Sequence, residues 1–139
     1  MSRNARIGKS QGLGQQGMAM VEFALMLPVM LLLSFGAITF TVALYDKAIL
    51  SYASRQAVRA WVVSKPILTA DSVQQIASSY CQNQLISFGT SVVTCVPVAT
   101  GPAAPISGDT LTVSVALSFT GLYVFNNMQI SSQTSMKFE

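Results

Sequence analysis

Hydrophobic and polar positions divide this chain into stretches with different rhythms. Over residues 17–44 (GMAMVEFALMLPVMLLLSFGAITFTVAL) the pattern is almost continuously apolar, and no formal charge occurs from Phe23 to Tyr45. An apolar run of roughly 18 or more residues predicts a bilayer-spanning helix. A helix satisfies its own backbone polar groups where no water reaches them, which a lone strand cannot do. At roughly 1.5 Å per residue, a helix over residues 18–45 is about 42 Å long. That exceeds the roughly 30 Å hydrocarbon core, so one end projects or the helix tilts. Pro28 lies inside the span, removes one backbone hydrogen bond and predicts a kink. Gly36, Ala37, Thr39, Thr41 and Ala43 make the second half of the span small enough for close helix packing.

Beyond Tyr45 the rhythm changes. Residues 46–63 (DKAILSYASRQAVRAWVV) hold no Gly or Pro, and Leu50, Ala53, Ala57 and Trp61 recur at spacings of three and four. This is the stripe of an amphipathic helix, with Lys47, Arg55 and Arg59 left for solvent. One continuous helix is therefore expected from about residue 18 to 63. Arg55 and Arg59 share a helix face and read as a solvated pair. Lys65-Pro66 closes the element, because the residue before a proline disfavours helical backbone. Asp71 or Ser72 then caps a short helix reaching about Phe88, with Val73, Ile76, Tyr80 and Leu85 as its apolar side and Gly89 at its end.

A period of two follows. Residues 91–99 are valine-rich and predict a first strand, closed by Pro97 and by the loop ATGPAAPISGD with its Gly and Pro turn signals. In residues 110–119, Leu111, Val113, Val115, Leu117 and Phe119 alternate with Thr110, Thr112, Ser114, Ala116 and Ser118, the clearest strand of the chain. Ile130, Ser132, Thr134, Met136 and Phe138 repeat the alternation more weakly and predict a final strand. Three strands with one apolar face need a cover, which the second half of the long helix and the short helix supply. The fold class is α+β: a long N-terminal transmembrane helix continuing into a small domain with a short helix and a three-stranded antiparallel sheet.

Charge adds orientation. Only 9% of the 139 residues are charged, well under the roughly 25% usual for soluble domains. The net charge of +3 resides in a polar leader, residues 1–17, through Arg3, Arg6 and Lys9; five basic and five acidic residues balance after it. A basic segment beside the apolar run predicts a cytoplasmic N-terminus, with the remainder on the far side. No basic face is left for nucleic acid. The organisation is a leader (1–17), a transmembrane helix (18–45), a helical extension (46–65) and a periplasmic α+β domain (66–139).

Candidate chemistry is sparse. There is no His, and two cysteines fourteen positions apart are not a metal-binding spacing. Asp71 and Asp109 stand apart in sequence beside cap and turn signals. The leader's GLGQQG follows no strand and precedes a membrane helix, so it is no dinucleotide site. No enzyme activity, cofactor or metal is expected. Cys81 and Cys95 both fall in the distal part, where a location outside the cytoplasm favours a disulfide.

Glu22 is the anomaly of the apolar run. A carboxylate within such a run is costly and is a functional candidate by default. Counting Met18 as one, Glu22 is residue five and Phe23 residue six; counting from after Gly12 or Gly14 gives ten or eight instead. A basic leader, a glycine, and Glu-Phe at five and six resemble the processing site of type IV pilin-like proteins. The run GMAMVEFALMLPVMLLLSFG with its extension SYASRQAVRAW is similar to the TadE-like family, minor pseudopilins of the tight-adherence (Flp) pilus system. The resemblance implies a pilin-like domain, cleavage between Gly17 and Met18 by a prepilin peptidase, and an assembly role for Glu22 and Phe23. It implies retention in the bacterial inner membrane, and other pilins, pseudopilins and inner-membrane pilus assembly proteins as partners. An uncleaved signal anchor presenting a binding domain, an ordinary signal peptide cut near Ser34-Phe35-Gly36, and a type II secretion pseudopilin are the competing readings.

Overall fold

In a computed structural model the described residues are 13–88, 93–122 and 127–139. Their elements are α1 (Leu13–Val63), α2 (Ala70–Cys81), β1 (Val96–Thr100), β2 (Thr110–Phe119) and β3 (Met128–Lys137). A long N-terminal apolar helix, a short second helix and a three-stranded antiparallel sheet make an α+β arrangement. The chain divides into two compact units, Met1–Phe35 and Gly36–Glu139.

In the first unit the described residues form the start of α1. Met18, Phe23, Leu25, Met30 and Leu32 are all exposed. Pro28 lies inside α1, and the helix is assigned without interruption on both sides of it. The helix starts at Leu13, ahead of the expected residue 18. Nothing in LGQQG forbids helix, and extending an existing helix is far easier than nucleating one. Leader residues 1–12 lie outside the described residues.

The second unit is built on the other half of α1. Leu50, Ala53, Ala57, Val58 and Trp61 are buried there, as the stripe predicts. Opposite them lies a sheet in the order β1-β2-β3, antiparallel throughout. Strand β2 is central, and Leu111, Val113, Val115, Leu117 and Phe119 are all buried in the same core. The alternation fixes which face turns inward, because a one-residue slip would expose every one of them. Ser54 Oγ and Thr134 Oγ1 lie 2.8 Å apart, a hydroxyl pair linking α1 to β3. Gly101 approaches Trp61 so closely that a Cβ there would stand 2.6 Å from Leu111 Cδ2 and 3.0 Å from the Trp61 ring. No side chain fits without displacing one of them.

Helix α2 departs from expectation. Its cap is Thr69, whose hydroxyl accepts from the Ser72 backbone N–H, rather than Asp71 or Ser72. It ends at Cys81, short of Phe88. The stop is local: Asn83 has φ 63°, a left-handed backbone that asparagine tolerates and a helix does not. Its buried line is Val73, Ala77 and Cys81. Ile76 is only half-buried, and Tyr80 is exposed, meeting Tyr52 of α1 edge-on at 5.7 Å. Residues 87 and 88 pair instead with the end of β2: Phe88 N–H donates to the Thr120 carbonyl at 3.0 Å, and Thr120 N–H to Ser87 Oγ at 3.1 Å. Gly89 and residues 90–92 lie outside the described residues, and β1 begins at Val96 rather than near 91. A disulfide joins Cys81 to Cys95, with Cα atoms 6.4 Å apart, fastening the end of α2 to the residue before β1.

Candidate functional site

The sequence singles out residues near the start of α1, and the structure places them on regular helix. Gly17, Met18, Val21, Glu22 and Leu25 line one open face, as spacings of one and four residues require. Met18 and Phe23 are 78% and 67% exposed. Gly17 has nothing within 4 Å of where a Cβ would stand. Packing within this chain therefore does not demand glycine there, although glycine in a helix costs roughly 1 kcal/mol relative to alanine. The helix is long and apolar enough to cross a membrane, and its apolar stretch is almost wholly exposed. It is a candidate membrane anchor, and the glutamate sits on its exposed surface.

Cys81 and Cys95 belong to the other unit and serve its core. Among the described residues no group of three or more His, Cys, Asp and Glu could hold a metal ion.

One residue escaped the sequence reading. Asp46 is fully buried. Its Oδ1 accepts the Ile86 backbone N–H at 3.0 Å, while Oδ2 is buried with no hydrogen-bond partner. Burial pushes its carboxyl above the ordinary aspartate range, and the Ile86 hydrogen bond pulls part of the way back. The signal was present. Stepping back four residues from Leu50 along the stripe Leu50, Ala53, Ala57 lands on Asp46, so the core face begins one turn earlier, with an acid.

Residues 17–59 match the family described as TadE-like protein. Over that segment, under half of its length, the chain is similar to the TadE-like family. The match begins at Gly17, takes in Glu22 and Phe23, and stops inside the amphipathic half of α1. It leaves α2 and the sheet unmatched, so the matched segment is the candidate anchor and its first extension. No curated protein and no solved structure matches the chain.

Proposed function

We propose that this protein is a minor pseudopilin-like subunit of a tight-adherence (Flp, type IVb) pilus assembly system, acting in pilus biogenesis and surface adhesion. The observation that carries the reading is the register. In a TadE-like segment beginning at Gly17, Glu22 and Phe23 fall at positions five and six after the glycine. Gly17 supports it too, since no neighbour in this chain needs a glycine there. A prepilin peptidase cuts between Gly17 and Met18 on the cytoplasmic side, and the chain stays in the inner membrane with its α+β domain in the periplasm. It is a structural component rather than an enzyme. Glu22 works in assembly: cleavage creates a positive amine at Met18, and the carboxylate of one subunit meets the amine of another packed at a different depth. Each charge then has a partner, and losing one strands the other.

The test is the N-terminal residue of the protein extracted from its host's membranes. A start at Met18 with the apolar run retained supports the reading; an intact leader overturns it in favour of a plain signal anchor. Glu22→Ala extends the test: it is expected to lose co-purification with pilus components while the disulfide-bonded domain keeps its thermal midpoint. The uncleaved anchor is the second reading. It is favoured by the start of α1 at Leu13, which leaves helical backbone at the Gly17-Met18 bond that a peptidase must first open.

A further inference from the structure

A groove lies within the second unit where α1 passes the start of β3, with a volume of about 320 Å³. Phe40, Leu44 and Lys47 line one wall and Met128, Gln129 and Ser131 the other. Phe40 and Leu44 are 63% and 52% exposed, so that wall is open apolar surface. Residues 40, 44 and 47 lie at i, i+4 and i+7 on one helix face. Along about 10 Å of helix the lining passes from an aromatic ring, through an aliphatic chain, to a cation, and the β3 wall adds an amide and a hydroxyl. Tyr45, half exposed beside it, closes the uncharged run, and such residues settle at the membrane–water interface.

We propose that this groove seats an anionic phospholipid, one acyl chain on Phe40 and Leu44 and its phosphate on Lys47, with Gln129 and Ser131 completing the headgroup site. The order of the lining is the order in which a phospholipid presents its parts. Charge selects the occupant. Lys47 makes no ion pair among the described residues, and Asp46 beside it is buried and bonded to Ile86. A second copy docked at the same depth would bring another Lys47 and no acid. An apolar helix would bury the ammonium without a partner, which is costly. A phosphate at the interface neutralises it, and an interfacial lysine draws anionic lipid for the same reason. The proposal rests on α1 lying in a bilayer, but not on leader cleavage or pilus assembly.

The experiment uses the full chain in phosphatidylcholine bilayer discs, with photoreactive phosphatidylglycerol or photoreactive phosphatidylcholine added in turn. The expected result is preferential labelling by phosphatidylglycerol, mapping to residues 40–47 and 128–131. Labelling should fall about fivefold in Lys47→Gln, persist in Lys47→Arg, and be unchanged in Arg59→Gln, an exposed cation elsewhere on α1. Equal labelling by both lipids overturns the proposal, as does labelling indifferent to Lys47→Gln, or cross-linking between two copies in place of lipid. Alkaline extraction separates the two failures. A wild-type chain stripped from the bilayer overturns the membrane reading and the groove together; a retained chain with no lipid preference overturns the groove alone.

Discussion

The two halves of α1 are one helix with two kinds of surface. In the first unit, Leu25 is 70% exposed and Leu32 62%; in the second, Leu50 and Ala57 are 0%. The backbone and the helix period are common to both, so what differs is where the apolar residues fall. Apolar positions all the way round make a surface for lipid, whereas an apolar stripe with charges opposite makes a surface for a core. The same side chain therefore has two energetic meanings on one helix. A leucine near residue 25 adds to the apolar surface of a candidate membrane anchor, and a leucine at position 50 stabilises a fold.

Substitutions that treat the halves alike should break this contrast most sharply at Trp61. It is 2% exposed and packed against Gly101 and Leu111, so Trp61→Ala should destabilise the domain by about 3–5 kcal/mol. Thermal denaturation in detergent measures it. Phe23→Ala in the first unit should leave the same transition within about 0.5 kcal/mol. Next in size is the disulfide. Replacing Cys81 and Cys95 together by serine releases a loop of about 15 residues, worth roughly 3 kcal/mol, and reduced wild type should melt at the same lowered temperature. Gly101→Val sharpens the contrast from the other side. It overfills the contact with Trp61 and should cost about 1–3 kcal/mol, whereas Gly36→Val, where a Cβ meets open space, should not shift the domain's midpoint.

The smallest effect belongs to Asp46, at the point where one regime gives way to the other. Its carboxyl is held above the ordinary range by burial, so the folded domain favours the protonated form. That stabilisation is full below the usual carboxylate value of about 4 and is lost as pH rises through the raised folded value. The melting temperature should drift down over this window in wild type. In Asp46→Asn the amide carbonyl still accepts from Ile86, and the drift should vanish. A drift unchanged in the variant would assign it to another group.

How much of this was legible depends on the range of the interaction that decides each element. Residues on the stripe of α1 and the alternating strand β2 announce themselves, because each is decided by period and burial within one segment. The Thr69 cap and the stop at Asn83 were hidden by weak local signals that compete with a plausible continuation of α2. Asp46 was hidden more deeply, since its partner is a backbone N–H forty residues on. At the other candidate site, Gly17, Glu22 and Phe23 were legible as a pattern because their spacing lies within one short segment. Their exposure was not, since the same spacing also occurs in buried helices.

The hydroxyl pair between Ser54 and Thr134 spans a separation of 80 residues. Its consequence concerns time. A chain made from its N-terminus has α1 complete before β3 has emerged, yet β3 seals the core that half of α1 must enter. Until then the core around the stripe Leu50, Ala53, Ala57 and Trp61 lacks its last strand, and long-range pairings of this kind form slowly. The helix therefore waits for the sheet, and the domain closes late, on a greasy stripe already made.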